Sequence, residues 1–151
     1  MRTFTGTEDL LASVGEQLGP TDWIEIDQAR IDQFADATRD HQWIHVDPEK
    51  AAQGPFGTTI AHGFLTLTML PELLNSLYTV EGVKMAVNYG LNKVRMPAPV
   101  PVGSKVRGVA AVSEVTPLDG NAVQVVFATV IEIDGSSKPA CVVESIARFY
   151  L

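Results

Sequence analysis

The sequence predicts an α+β protein in which a largely antiparallel sheet curls around one apolar helix. Three observations lead there. Capping signals and helical spacing fill the first half, the stretch Ala61–Tyr78 is apolar almost all the way round, and the second half turns to β-rich runs punctuated by Asp-Gly pairs.

Taken in order, Asp27 stands where a side chain caps a helix opening Gln28-Ala29-Arg30, with Ile26 and Ile31 as a hydrophobic staple. Ile31, Phe34 and Ala35 give that helix an apolar face. Asp47-Pro48-Glu49 starts a second, short helix over Pro48–Gln53, with proline in the first turn and Gly54 as the stop. In the third helix Phe64, Leu65, Leu67, Met69 and Leu70 surround the axis and Leu73, Leu74 and Leu77 continue the spacing, so the helix is expected to be buried. Pro71 should kink or divide it. Four strands follow, over Val83–Val94, Lys105–Val115, Ala122–Ile133 and Lys138–Tyr150. Joined by the irregular Pro97–Pro101 segment and by turns at Asp119-Gly120 and Asp134-Gly135, they read as an antiparallel meander.

A chain of 151 residues, 46% apolar, is long enough to bury a core, and residues 1–151 are expected to form one domain. The single cysteine, Cys141, rules out an intramolecular disulfide framework and fits a reducing compartment. Met1–Gly15 carries Arg2, Glu8 and Asp9 without a continuous apolar run, so an export signal is not expected and a cytoplasmic protein is. Eleven basic against eighteen acidic side chains give a formal charge of −7, which argues against nucleic acid and anionic membrane as partners. Lys93, Arg95, Lys105 and Arg107 form the one dense basic stretch, a candidate local anion site. The longest uncharged run, Gln53–Pro71, is broken by Gly54, Gly57, Gly63 and four threonines and does not suit a membrane span.

Chemistry gathers at Asp36, Arg39, Asp40, His41 and His45. Asp40 and His45 are five residues apart, and on a continuous helix they would point about 140° from one another. They converge only if the chain leaves the helix between them, as the lack of a helical pattern over Arg39–Ile44 suggests. A carboxylate and an imidazole in an apolar cleft can hold one water and move its proton both ways. The local alternatives are a turn-making Asp40 and a core His45 bonded to backbone. His41-Gln42-Trp43-Ile44-His45 superficially matches a zinc helix motif, but glutamine is no base and Asp47-Pro48 interrupts the required helix, so no metal is expected. Downstream, Ile60-Ala61-His62-Gly63 enters the apolar helix, where a bare Gly63 N–H suits a carbonyl oxygen gaining charge. Gly63 as a mere packing residue is the alternative. His62 reads as structural, with no neighbouring acid in sequence to orient it.

Phe34-Ala35, Arg39-Asp40-His41-Gln42-Trp43-Ile44-His45, Ala51 and the later Ile60-Ala61-His62-Gly63, at these spacings, resemble the signature of the (R)-specific enoyl-CoA hydratases, the MaoC-like dehydratases of the hot-dog fold. The NodN-like branch is the most similar. The resemblance covers nearly the whole chain, including Val94–Gly103, which looks like that family's inter-strand connection. Three positions depart from its pattern: Arg39 stands where glycine is usual, and Gln42-Trp43 where asparagine and proline are.

The resemblance implies a hot-dog homodimer that adds water reversibly and syn across a trans-2-enoyl thioester, giving an (R)-3-hydroxyacyl thioester. It implies Asp40 and His45 as the catalytic pair, the Gly63 N–H on the thioester carbonyl, Gln42 as an amide donor, and an acyl-CoA or acyl-carrier thioester as the partner molecule. No cofactor is expected, because conjugation to the thioester already makes C3 electrophilic. Thr68 matches a hydroxyl position of relatives, although a buried threonine bonded to its own helix backbone reads better locally. A hot-dog thioesterase and a non-catalytic acyl-thioester binding module are the alternatives.

Overall fold

The computed structural model describes residues 1–151. In chain order the elements are β1 (Arg2–Phe4), α1 (Thr7–Ala12), β2 (Gln17–Leu18), β3 (Ile24–Glu25), α2 (Gln28–Thr38), α3 (Trp43–Val46) and α4 (Pro48–Ala52). They continue with α5 (Gly63–Thr68), α6 (Leu70–Leu77), β4 (Tyr78–Val80), β5 (Met85–Arg95), β6 (Lys105–Leu118), β7 (Ala122–Ile133) and β8 (Cys141–Tyr150). The helices of the first half are interleaved with β1, β2 and β3, too short to leave a period-two signature in the sequence.

The start of α2 follows the expected chemistry. The Asp27 carboxylate accepts the Arg30 N–H at 2.8 Å, and Ile26 and Ile31 are both buried. α4 likewise starts at Pro48, with Asp47 accepting the Lys50 N–H at 3.0 Å, and ends one residue before the expected Gln53. Gly54 does more than stop it: a Cβ there would lie 2.9 Å from the Trp43 ring, so the glycine admits the indole.

The long apolar helix is divided. α5 ends at Thr68, Met69 forms the junction, and Pro71 falls in the first turn of α6, where its missing N–H disturbs least. Full burial is corrected as well. Leu65, Thr66, Met69, Leu70, Leu73, Leu74 and Leu77 are inside, but Phe64 is 68% exposed and Thr68 is exposed too. Each short helix turns one face to the sheet, and the opposite face is left uncovered. α6 lies against β6 so closely that a Cβ on Gly108 would sit 3.2 Å from the Leu73 Cβ.

Strands β6, β7 and β8 are antiparallel neighbours, but the fourth expected strand, β5, pairs with β8 and not with β6. The meander is therefore corrected to the order β2-β6-β7-β8-β5, with β3 also pairing to β6. Proline between β5 and β6 removes the donors a tight hairpin would need, and the chain crosses over instead. The resulting curled antiparallel sheet around α5 and α6 is the hot-dog fold. The crossover is fastened on the way: the Ala61 N–H donates to the Val100 carbonyl at 2.8 Å, Val102 N–H to Thr59 at 2.9 Å, and Gly103 N–H to Ile26 at 2.7 Å.

This order also dissolves the expected anion site. Lys93 and Arg95 lie on β5 and Lys105 and Arg107 on β6, with β7 and β8 between them. Lys93 is 3.6 Å from Glu144 and Arg107 2.7 Å from Glu132, so two of the four cations are already paired. At the far end of the core Tyr78 stacks on Phe127 with centroids 4.7 Å apart, flanked by Phe4 and Phe149. None of the helices is long and apolar enough to cross a membrane.

Candidate active site

Helix α2 is closed by Arg39, whose φ of 60° and ψ of 24° are left-handed. That backbone suits glycine best, which explains why glycine is usual there in the family the sequence resembles. The turn takes the chain out of the helix between Asp40 and His45, as their convergence requires. Asp40 is left exposed, with its Oδ1 accepting the Gln42 N–H at a long 3.4 Å. His45, on α3, is only 6% exposed. Side-chain donor atoms of Asp40, His45 and His62 lie within 4.8 Å of one another, and these are the residues that would hold a metal ion were one bound.

The tautomer of His45 is set by its neighbour. Its Nδ1 lies 2.7 Å from the carbonyl oxygen of Ile60, and since a carbonyl only accepts, Nδ1 carries the proton and Nε2 the lone pair. Burial pushes the His45 pKa below the usual imidazole value; the Ile60 hydrogen bond and the Asp40 charge oppose this, while nearby His62 reinforces it. At neutral pH the ring is therefore an uncharged base.

The main chain around His45 is held equally firmly. Gln28 donates from Nε2 to the His45 carbonyl at 2.8 Å and to Asp32 at 2.8 Å, and its Oε1 accepts the Thr59 hydroxyl at 2.6 Å. The Ile60 N–H donates to the Ile44 carbonyl at 3.0 Å. Thus the 59–61 segment and α3 are tied together at both ends. On the other side the Lys50 ammonium lies 4.9 Å from the Trp43 ring centroid, closing the wall that Trp43 builds.

His62 is 3% exposed and lies flat on His45, the ring centroids 3.8 Å apart and the planes at 24°. Its Nε2 is 2.9 Å from the Asp40 carbonyl oxygen. An orienting group is present after all, a main-chain carbonyl supplied by a distant loop in place of an acid. Gly63 follows as the first residue of α5, so its N–H has no intrahelical acceptor, and no loop carbonyl or side chain takes it. A Cβ at Gly63 would run into the sulfur of Met96. With only six residues in α5 the dipole is smaller than the expected long helix would supply, so the free N–H itself is the useful feature.

The remaining candidates separate. His41 turns to Asp36, with Nε2 2.8 Å from Oδ1, so the His-Gln-Trp-Ile-His run does not converge. Gln42 is exposed, and its carbonyl accepts the His45 N–H at 2.9 Å. Thr68 donates to the Leu65 carbonyl at 2.9 Å, as its local reading has it, but it is exposed and borders a cavity of about 830 Å³ between α5, α6 and the β5–β8 edge. Gln28, Thr59 and Met96 were not singled out by the sequence. Nothing in a glutamine at the start of a helix signals a contact seventeen residues away, whereas His62 stands next to Gly63, which the sequence does mark.

The depressed His45 pKa has a thermodynamic consequence. The unfolded chain, whose histidine titrates near about 6.5, binds this proton more readily than the folded one, so folding stability falls as pH drops through that range. Urea midpoints at pH about 7.5 and about 5.5 should therefore differ more in the wild type than in His45→Gln. An equal loss in both proteins would contradict the buried, neutral ring.

Comparison with known proteins identifies the family. Residues 9–134 match the family described as MaoC like domain. The chain is 60% identical over 149 residues to 3-hydroxyacyl-thioester dehydratase Z of Mycobacterium tuberculosis (strain ATCC 25618 / H37Rv), covering 99% of each chain. It is 43% identical over 134 residues to nodulation protein N of Rhizobium leguminosarum bv. viciae, covering 87% of this chain and 83% of that one. Among solved structures, a monoamine oxidase regulatory protein from Archaeoglobus fulgius superposes with a TM-score of 0.80 at 24% identity, over 99% of this chain and 97% of that one. With its match across most of the sequence and a relative at 60% identity over nearly all of it, the chain belongs to the MaoC-like domain family.

Proposed function

We propose that the protein is an (R)-specific enoyl-thioester hydratase and dehydratase, a hydro-lyase acting on acyl-CoA or acyl-carrier thioesters. The observation that carries this reading is the pairing of an exposed carboxylate, Asp40, with a buried neutral imidazole whose Nε2 lone pair is free. The 60% identical relative, named a 3-hydroxyacyl-thioester dehydratase, supports it.

In the hydration direction Asp40 accepts one hydrogen of a water and orients it, and His45 Nε2 takes the other as the oxygen attacks C3. The C2=C3 electron pair moves onto the thioester as an enolate, whose oxygen the Gly63 N–H stabilises. The imidazolium then returns its proton to C2 on the same face. Atoms balance, His45 is regenerated and the addition is syn. His45 thus serves first as base and then as acid, with Asp40 as the orienting group; Gln42 is exposed two residues from Asp40. The step needs no metal or redox cofactor.

An acyl chain has a place to go. Thr68 follows Gly63 by five residues, roughly 7–8 Å along a helix, and opens onto the 830 Å³ cavity walled by Leu67, Leu74, Tyr78, Leu91 and Ile146. We assign the acyl tail to that cavity.

We further propose a cytoplasmic homodimer. Strand β5 is paired on one side only, and Met85, Val87, Tyr89 and Leu91 are exposed along its eleven residues. Such an edge gains from pairing with a second copy. The buried, free Cys141 suits a reducing compartment.

Crotonyl-CoA tests the chemistry. The wild type should consume the enoyl absorbance without releasing thiol, and Asp40→Asn and His45→Gln should each slow hydration by about two to four powers of ten with the melting temperature kept. Their effects should not add, since both groups serve one water. Activity within about threefold of wild type in either variant contradicts the assignment, and stoichiometric thiol release means a thioesterase. For the dimer, light scattering should give twice the chain mass, falling to the monomer in Tyr89→Lys, where a second cation joins Arg148, 3.3 Å from the Tyr89 ring. A wild-type monomer overturns the dimer.

A further inference from the structure

His62 has no part in the chemistry just described, yet it touches both Asp40 and His45. Its ring stacks on His45 at 3.8 Å, Phe34 packs against it at 5.0 Å, and its Nε2 is 2.9 Å from the Asp40 carbonyl oxygen. Because that oxygen only accepts, Nε2 bears a proton. Nδ1 is buried and has no hydrogen-bond partner.

Packing alone does not account for such a residue. A phenylalanine would fill the same stack and leave no buried lone pair unpaired. What it would lack is the Nε2–H donated to Asp40. Asp40 needs that bond: it follows the left-handed Arg39, is exposed, and its carboxylate is otherwise tied only by the 3.4 Å contact to Gln42. One side chain thus joins the carboxylate through its main chain, the base through a ring stack, and the N–H donor as its neighbour in sequence.

We propose that His62 is a positioning residue that fixes Asp40, His45 and Gly63 relative to one another for water addition, acting through them and not on the substrate; this rests on the hydration chemistry proposed above. Small misplacements of reacting groups lower turnover by about a hundredfold.

Two variants separate its contacts. His62→Phe keeps a ring over His45 and loses the donor, and its kcat on crotonyl-CoA should fall by about 10- to 100-fold with KM within about threefold of wild type. His62→Gln restores a donor and should recover part of that loss. Both melting temperatures are measured alongside. Turnover within about threefold of wild type in both variants, or a loss that appears in KM instead of kcat, overturns the proposal. A third measurement needs neither variant nor activity: in the nitrogen-15 spectrum of the wild type, His62 should show a protonated Nε2. A His62 protonated at Nδ1 alone, with Nε2 bare, removes the anchor and overturns the proposal. Should the wild type fail to hydrate crotonyl-CoA, the hydratase reading falls, and the spectrum still decides whether His62 holds Asp40.

Discussion

The hydrogen bond from His45 Nδ1 to the Ile60 carbonyl, 2.7 Å long, decides which nitrogen of a buried imidazole is free. With Nδ1 committed, Nε2 has no choice but to be the acceptor, and burial keeps the ring uncharged until it is asked to take a proton. Everything else in the site is arranged around this constraint. Ile60 keeps its place because its N–H is bonded to Ile44 and because the segment 59–61 is laced to 100–102 of the proline-rich crossover. A connection between two strands that looks irregular in sequence is therefore a structural part of the candidate site.

The same logic explains why the pair is asymmetric. His45 sits inside, where its base strength is tuned by exclusion of water, while Asp40 stays at the surface, where a carboxylate needs no compensating partner. The left-handed Arg39 makes the difference possible by turning the chain out of α2 one residue before Asp40. Gln28 then ties α2 back to the His45 carbonyl, so the helix that leads to the carboxylate also anchors the imidazole.

Much of this was legible in the sequence, and the reasons are local. Asp27, Ile26 and Pro48 act within a turn of where they stand, and the Asp40–His45 spacing already demanded a break between them. What was not legible depends on residues far apart in the chain. The place of β5 beside β8, the exposure of Thr68 and Phe64, and the pairing of Lys93 with Glu144 follow from sheet order, which no local period encodes. The stacking of His62 on His45 belongs to the same class: the sequence marked both, but only the fold brings a residue of α3 and the cap of α5 to 3.8 Å. The split between α5 and α6 lies in between: Pro71 announces it, and the fold places the junction at Met69.

The most direct test of this account is the protonation state of His45 itself, read from long-range nitrogen-15 correlations of histidine-labelled protein at neutral pH. Held by Ile60, the ring should be neutral, with a protonated Nδ1 and an unprotonated Nε2. A ring protonated at Nε2, or charged at neutral pH, would leave no lone pair for the water and would contradict the account at its centre.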